Sequence, residues 1–136
     1  MHHLDTLKVK LKSINGSIEL PTQRGTFTCT PVFCGDVIIG LNVTNLGNYP
    51  FISIDVFVAV ISLLKLSHNN EAVNGNVMDC KLGDDDLSMN SVEGHIASLV
   101  YGKSQGDTIF RRITPVARIL EWAGVCTIIT GGLKLV

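Results

Sequence analysis

The run from Phe51 to Leu66 constrains this chain more than any other feature, because its only charges are Asp55 and Lys65. It is too apolar to lie on a surface. It is also shorter than the roughly 20 residues that a membrane-spanning helix needs. It therefore has to be buried within a domain, and the rest of the chain must supply the walls. Its Val and Ile content favours a strand, whereas its length favours a helix. Ser53 as N-cap and Asp55 in the first turn tip the reading to a helix. Because apolar residues occupy every side, that helix should be buried nearly all round.

The segment before it reads as β. Leu7, Val9 and Leu11 alternate with Lys8, Lys10 and Lys12, the period of a half-buried strand. Asn15-Gly16 then suits a tight hairpin that would face Ser13 with Ile18, Lys12 with Glu19 and Leu11 with Leu20. Thr22-Gln23-Arg24-Gly25 reads as a second turn. Thr26 to Phe33 is extended, with Pro31 confining it to an edge or a bulge. After Gly35-Asp36, Val37 to Val43 is apolar enough for a central strand, and the loop 44–50 ends the meander.

Beyond the apolar run, Ser67 to Gly75 is a polar loop, Asn76 to Leu82 a short strand, and Gly83 to Asp86 a loop. Asn90 and Glu93 have the spacing of a capping box, and Val92, Ile96, Leu99 and Val100 share one helical face, so 90–101 reads as a helix. The competing reading is a hairpin that pairs His95–Tyr101 with Thr108–Thr114. Thr114 as N-cap and Pro115 at the first position open a last helix, whose stripe is Val116, Ile119, Leu120 and Ala123 and whose end is Gly124. Thr127 to Val136, bent at Gly131-Gly132, closes the sheet. The expected architecture is a single α+β domain over 1–136: an N-terminal antiparallel β-meander packed against two or three helices.

Composition narrows the function classes. With 46% apolar residues the 136-residue chain is too hydrophobic to be disordered, and a net charge of −1 argues against nucleic-acid binding. Only 17% of residues are charged, against about 25% in ordinary soluble domains, so a second copy is expected to cover part of the surface. Met1 to Asp5 lacks a basic stretch leading into an apolar one, which suggests a cytoplasmic protein. Cys29, Cys34, Cys80 and Cys126 are then expected as reduced, buried thiols.

The candidates for chemistry are few. Glu93 and His95 would share a face on a strand and act as an acid–base pair, but on a helix they diverge by about 200°. Arg111 and Arg112, with Arg118 nearby, form the densest positive cluster and would clamp a carboxylate or phosphate. Asp84, Asp85 and Asp86 are the weak candidates for a divalent cation, without the spacing of an EF-hand, and a solvated loop is the plainer expectation. Gly102-Lys103-Ser104 ends like a P-loop, yet Ala97 stands where that motif needs its first Gly. No cofactor is implied.

Val92-Glu93-Gly94-His95, Gly106-Asp107 and Phe110-Arg111-Arg112-Ile113-Thr114-Pro115 lie between Ser91 and Gly124. This stretch, about a quarter of the chain, resembles small uncharacterised proteins of bacterial integron gene cassettes. Such proteins share no activity, so the resemblance implies a bacterial, cytosolic accessory protein and no catalytic residue. Two functions are expected on these grounds. One is a non-enzymatic binding or interaction module that forms a homodimer. The other is a small-molecule-binding or hydrolase-like enzyme using His95 and Glu93 with Arg111 or Arg112 as the anion clamp.

Overall fold

The computed structural model describes residues 2–136 and is α+β. Helix α1 (His3–Lys12) leads into strands β1 (Ile18–Pro21), β2 (Thr26–Cys34), β3 (Val37–Val43) and β4 (Phe51–Ser53). These pair in chain order as an antiparallel meander. Helix α2 (Ile54–Leu66), strand β5 (Glu71–Val73), helices α3 (Val92–Leu99) and α4 (Ile113–Trp122), and strands β6 (Cys126–Ile129) and β7 (Gly132–Leu135) follow.

The apolar run behaves as its composition requires. Ser53 Oγ accepts the Asp55 N–H at 3.1 Å, and the helix starts there. Only Asp55, Val58, Ser62, Lys65 and Leu66 are exposed, a narrow stripe at helical spacing. The rest of α2 packs against α1, α3 and strands of both sheets, so the core is built around it.

The first segment is a helix and not the expected strand. A period of two and a period of 3.6 both accommodate Leu7 and Leu11, which are fully buried. Leu4 and Ile14 decide between them, because they extend the stripe at helical spacing and pack against the same core. Val9, which a strand would have buried, is 57% exposed. Asp5 in the first turn and Lys10 and Lys12 in the last suit the helix dipole. The expected Asn15-Gly16 hairpin is therefore absent, and β1 pairs with β2 instead, across the Thr22–Gly25 turn.

The inner face of the meander carries Leu20, Phe27, Cys29, Leu41, Val43 and Ile52, all buried. Over β1 and β2 the outer face is polar, with Thr26 Oγ1 donating to Glu19 Oε1 at 3.1 Å and Ser17 Oγ within 2.7 Å of Thr30 Oγ1. Pro31 lies past the end of the β1 pairing, and the β2–β3 register shifts between Val32 and Phe33.

The C-terminal half needs three corrections. Asn76 to Leu82 contains no strand; the strand of this region is β5, and 77–79 is a turn. Thr127 to Val136 is a hairpin and not one bent strand, and with β5 it forms a separate sheet in the order β5-β7-β6. Arg112, not Thr114, is the N-cap of α4, which places Pro115 third in the helix. The expected stripe of Val116, Ile119, Leu120 and Ala123 is buried.

Candidate functional site

The site is built around the start of α4. Its N-cap, Arg112, offers no capping side chain. The missing acceptor comes from α3, where the Arg112 N–H donates to both Glu93 oxygens, at 2.9 and 3.0 Å. Ser91 caps α3 by accepting the Gly94 N–H at 3.0 Å, in place of the expected Asn90. Gly94 is required there because the Ser88 carbonyl occupies the space that a Cβ would need. Glu93 is 1% exposed. Burial pushes its carboxyl up to about 7, against the opposing pull of the Arg112 and Ile113 amides and the two arginine charges.

Held by its backbone, Arg112 turns its side chain into a cluster of aromatic residues. It is 5% exposed. Nε donates to the Tyr101 hydroxyl at 3.3 Å and Nη1 to the Arg111 carbonyl at 3.2 Å. The guanidinium carbon lies 5.5 Å from the Tyr101 ring centre and 5.6 Å from that of Phe110, within cation–π range. No carboxylate lies within ion-pair distance of it among the described residues, where the one ion pair is Arg118–Glu121 at 3.4 Å.

Arg112 and Arg111 line an open cleft of about 340 Å³ with Asn45, Leu46, Tyr49, Phe110, Thr114 and Pro115. Tyr49 comes from the β3–β4 connection and Phe110 from the segment before α4. Their rings stack with centres 5.1 Å apart and planes inclined at 36°. A guanidinium with unspent donors beside an exposed aromatic surface can hold a flat anion through its charge, fork and ring faces.

The other expected residues sit elsewhere. His95 is half-buried, and burial lowers its imidazole below the usual value. It lines a second cavity of about 500 Å³ with Ser62, Leu63, Leu66, His68 and Leu99. Glu93 does not line that cavity, so the helix separates the two as its geometry requires, and the strand arrangement that would have joined them does not occur. Asp84 Oδ2 accepts the Lys81 N–H at 2.7 Å and is spent on its own turn. Asp85 and Asp86 lie with Arg111 along an open groove, and Arg111 Nη1 approaches Met78 Sδ at 3.9 Å. No group of three or more side chains suited to a metal ion is present among the described residues. The four cysteines are free thiols. Cys29 and Cys126 are buried, which raises them to about 11 and about 12. Cys34, expected to be buried, is exposed at the end of β2.

Sequence reasoning found the arginines but missed the aromatic residues. Phe110 adjoins them in the chain and was open to notice. Tyr49, some sixty positions earlier, carried no signal, because only the fold brings it there. The chain matches no protein-family model, no curated protein and no solved structure, and the cleft has to be interpreted from its own chemistry.

Proposed function

We propose that this chain is a non-enzymatic binding module that seats a small anion in the Arg112 cleft and acts as a homodimer. The observation that carries the reading is Arg112 itself. It is a nearly buried cation with no carboxylate within ion-pair distance among the described residues, and it lines an open cleft. A buried charge is costly to leave unpaired, and an anionic ligand removes that cost. The hydrolase-like alternative needs Glu93 and His95 to converge. The Arg112 amide already occupies both Glu93 oxygens, and His95 opens onto a different cavity. Cytoplasmic placement and the bacterial accessory role implied by the integron-cassette resemblance belong to the same proposal.

Titration with acetate and with phosphate, followed by amide chemical shifts, tests the anion site. Saturable shifts are expected at residues 110–114, together with loss of binding in Arg112→Gln and unchanged binding in His95→Ala. Binding that survives Arg112→Gln in a folded variant, or anions that shift nothing in this segment, overturns the reading.

Self-association rests on a different observation. Val37 and Ile39, which alternate with the buried Ile38, are 62% and 41% exposed on one face of the β2–β3 hairpin tip, and Phe33, paired with Ile38, is 45% exposed on the other. An apolar group of this kind on a chain so poor in charge fits a contact between copies.

A further inference from the structure

Building on the anion site, we infer that the ligand of the Arg112 cleft is a small, flat aromatic carboxylate. The guanidinium has five N–H groups. Nε is engaged by the Tyr101 hydroxyl and one Nη1 hydrogen by the Arg111 carbonyl, so three remain, one on Nη1 and two on Nη2. Donors on the two terminal nitrogens can meet a carboxylate with two parallel hydrogen bonds. Tyr101 and the Arg111 carbonyl fix the orientation of the fork, so little rotamer freedom is lost when the anion arrives.

The selectivity for a ring comes from what stands next to the fork. Both tyrosines of the chain and one of its five phenylalanines gather around this one arginine. Tyr49 and Phe110 are 57% and 56% exposed although they touch each other, so each still presents a ring surface to the cleft. Phe110 links the two parts, lying 5.6 Å from the guanidinium carbon and 5.1 Å from the Tyr49 ring. A carboxylate on the fork therefore carries its substituent over an aromatic floor. A flat ring stacks there, whereas a puckered or branched substituent does not. The volume of about 340 Å³ is near the lower end for ligand pockets, which limits the ligand to one or two rings. Asn45 and Thr114 also line the cleft, and Arg111 adds a second positive charge.

The test compares benzoate, cyclohexanecarboxylate and acetate by amide chemical shift or calorimetry on the wild-type chain, Tyr49→Ala and Arg112→Gln. Benzoate is expected to bind roughly twofold to tenfold more tightly than cyclohexanecarboxylate, the range that stacking provides. Tyr49→Ala, a change at an exposed position, should weaken benzoate more than either of the other two acids and so reduce that preference. Equal affinity for the two six-membered acids overturns the aromatic assignment, and acetate binding that still depends on Arg112 would then leave the anion site standing. Failure of all three acids to bind overturns both. If Arg112→Gln does not fold, the Tyr49→Ala comparison alone decides the aromatic assignment.

Discussion

Glu93 carries two opposed demands. It must be charged to accept the α4 amides strongly, and it must be neutral to sit comfortably at 1% exposure. Burial prevails and moves its carboxyl from the usual 4.5 to about 7. A carboxyl held above its unfolded value binds its proton more tightly in the folded state. Its stabilising contribution is thus whole below about pH 4.5 and is lost as pH rises through 7. The shift bounds the effect at roughly 3 kcal/mol. His95 works in the opposite sense, since its lowered value costs stability as pH falls below its usual 6.5. The comparison must therefore be made within one background. We expect the urea midpoint of the wild-type chain to drop between about pH 6 and about pH 8, and that drop to vanish in Glu93→Gln, whose amide oxygen still accepts the Arg112 N–H. An identical pH profile in the two proteins would mean that Glu93 does not titrate in this range. None of this was legible in the sequence. Asn90 and Glu93 at capping-box spacing pointed to a cap within one helix, whereas the carboxylate caps the next helix, 19 positions on.

Elements whose capping residues agreed with their apolar spacing were legible, and those read from a short window alone were not. α2 was readable because Ser53, Asp55 and length all agreed against a modest β-propensity. β2 and β3 were readable from their turns. α1 was misread because Leu7, Val9 and Leu11 fit a strand when taken alone. The deciding residues, Leu4 and Ile14, lie outside that window. The two readings of this segment separate cleanly by mutation. In the helix Leu11 is fully buried and Val9 is 57% exposed. Leu11→Ala should therefore cost roughly 2–5 kcal/mol in denaturant unfolding, through the lost burial and the cavity left behind. Val9→Lys should stay within about 0.5 kcal/mol, as exposed substitutions do. In a strand both residues would face the core, and Val9→Lys would be the more damaging. The second sheet was illegible for another reason. β5 is three residues long, and only its pairing with β7 makes it a strand.

For the molecule as a whole, the sparse charge has to be reconciled with the surface. A monomer of 14.7 kDa has a typical accessible area of about 6,900 Å². This chain exposes 7485 Å², and its exposed apolar residues include Val37 and Ile39 on one face of the β2–β3 hairpin tip. A standard interface removes about 800 Å² from each partner, roughly a tenth of this surface. The hairpin tip with its flanking residues is of the right kind to supply it, being apolar and free of the residues that line the Arg112 cleft. Light scattering coupled to size exclusion should then give about 29 kDa, twice the chain mass. Val37→Lys should shift that to the monomer mass. Val37 is 62% exposed, so the change leaves the fold intact while placing a charge, and its symmetry-related copy, within the contact. Anion binding should persist in the monomeric variant, because no residue of the cleft lies at the hairpin tip. A wild-type chain that stays monomeric at high concentration would leave the hairpin tip without a partner copy, and the anion site would remain as the whole of the proposed function.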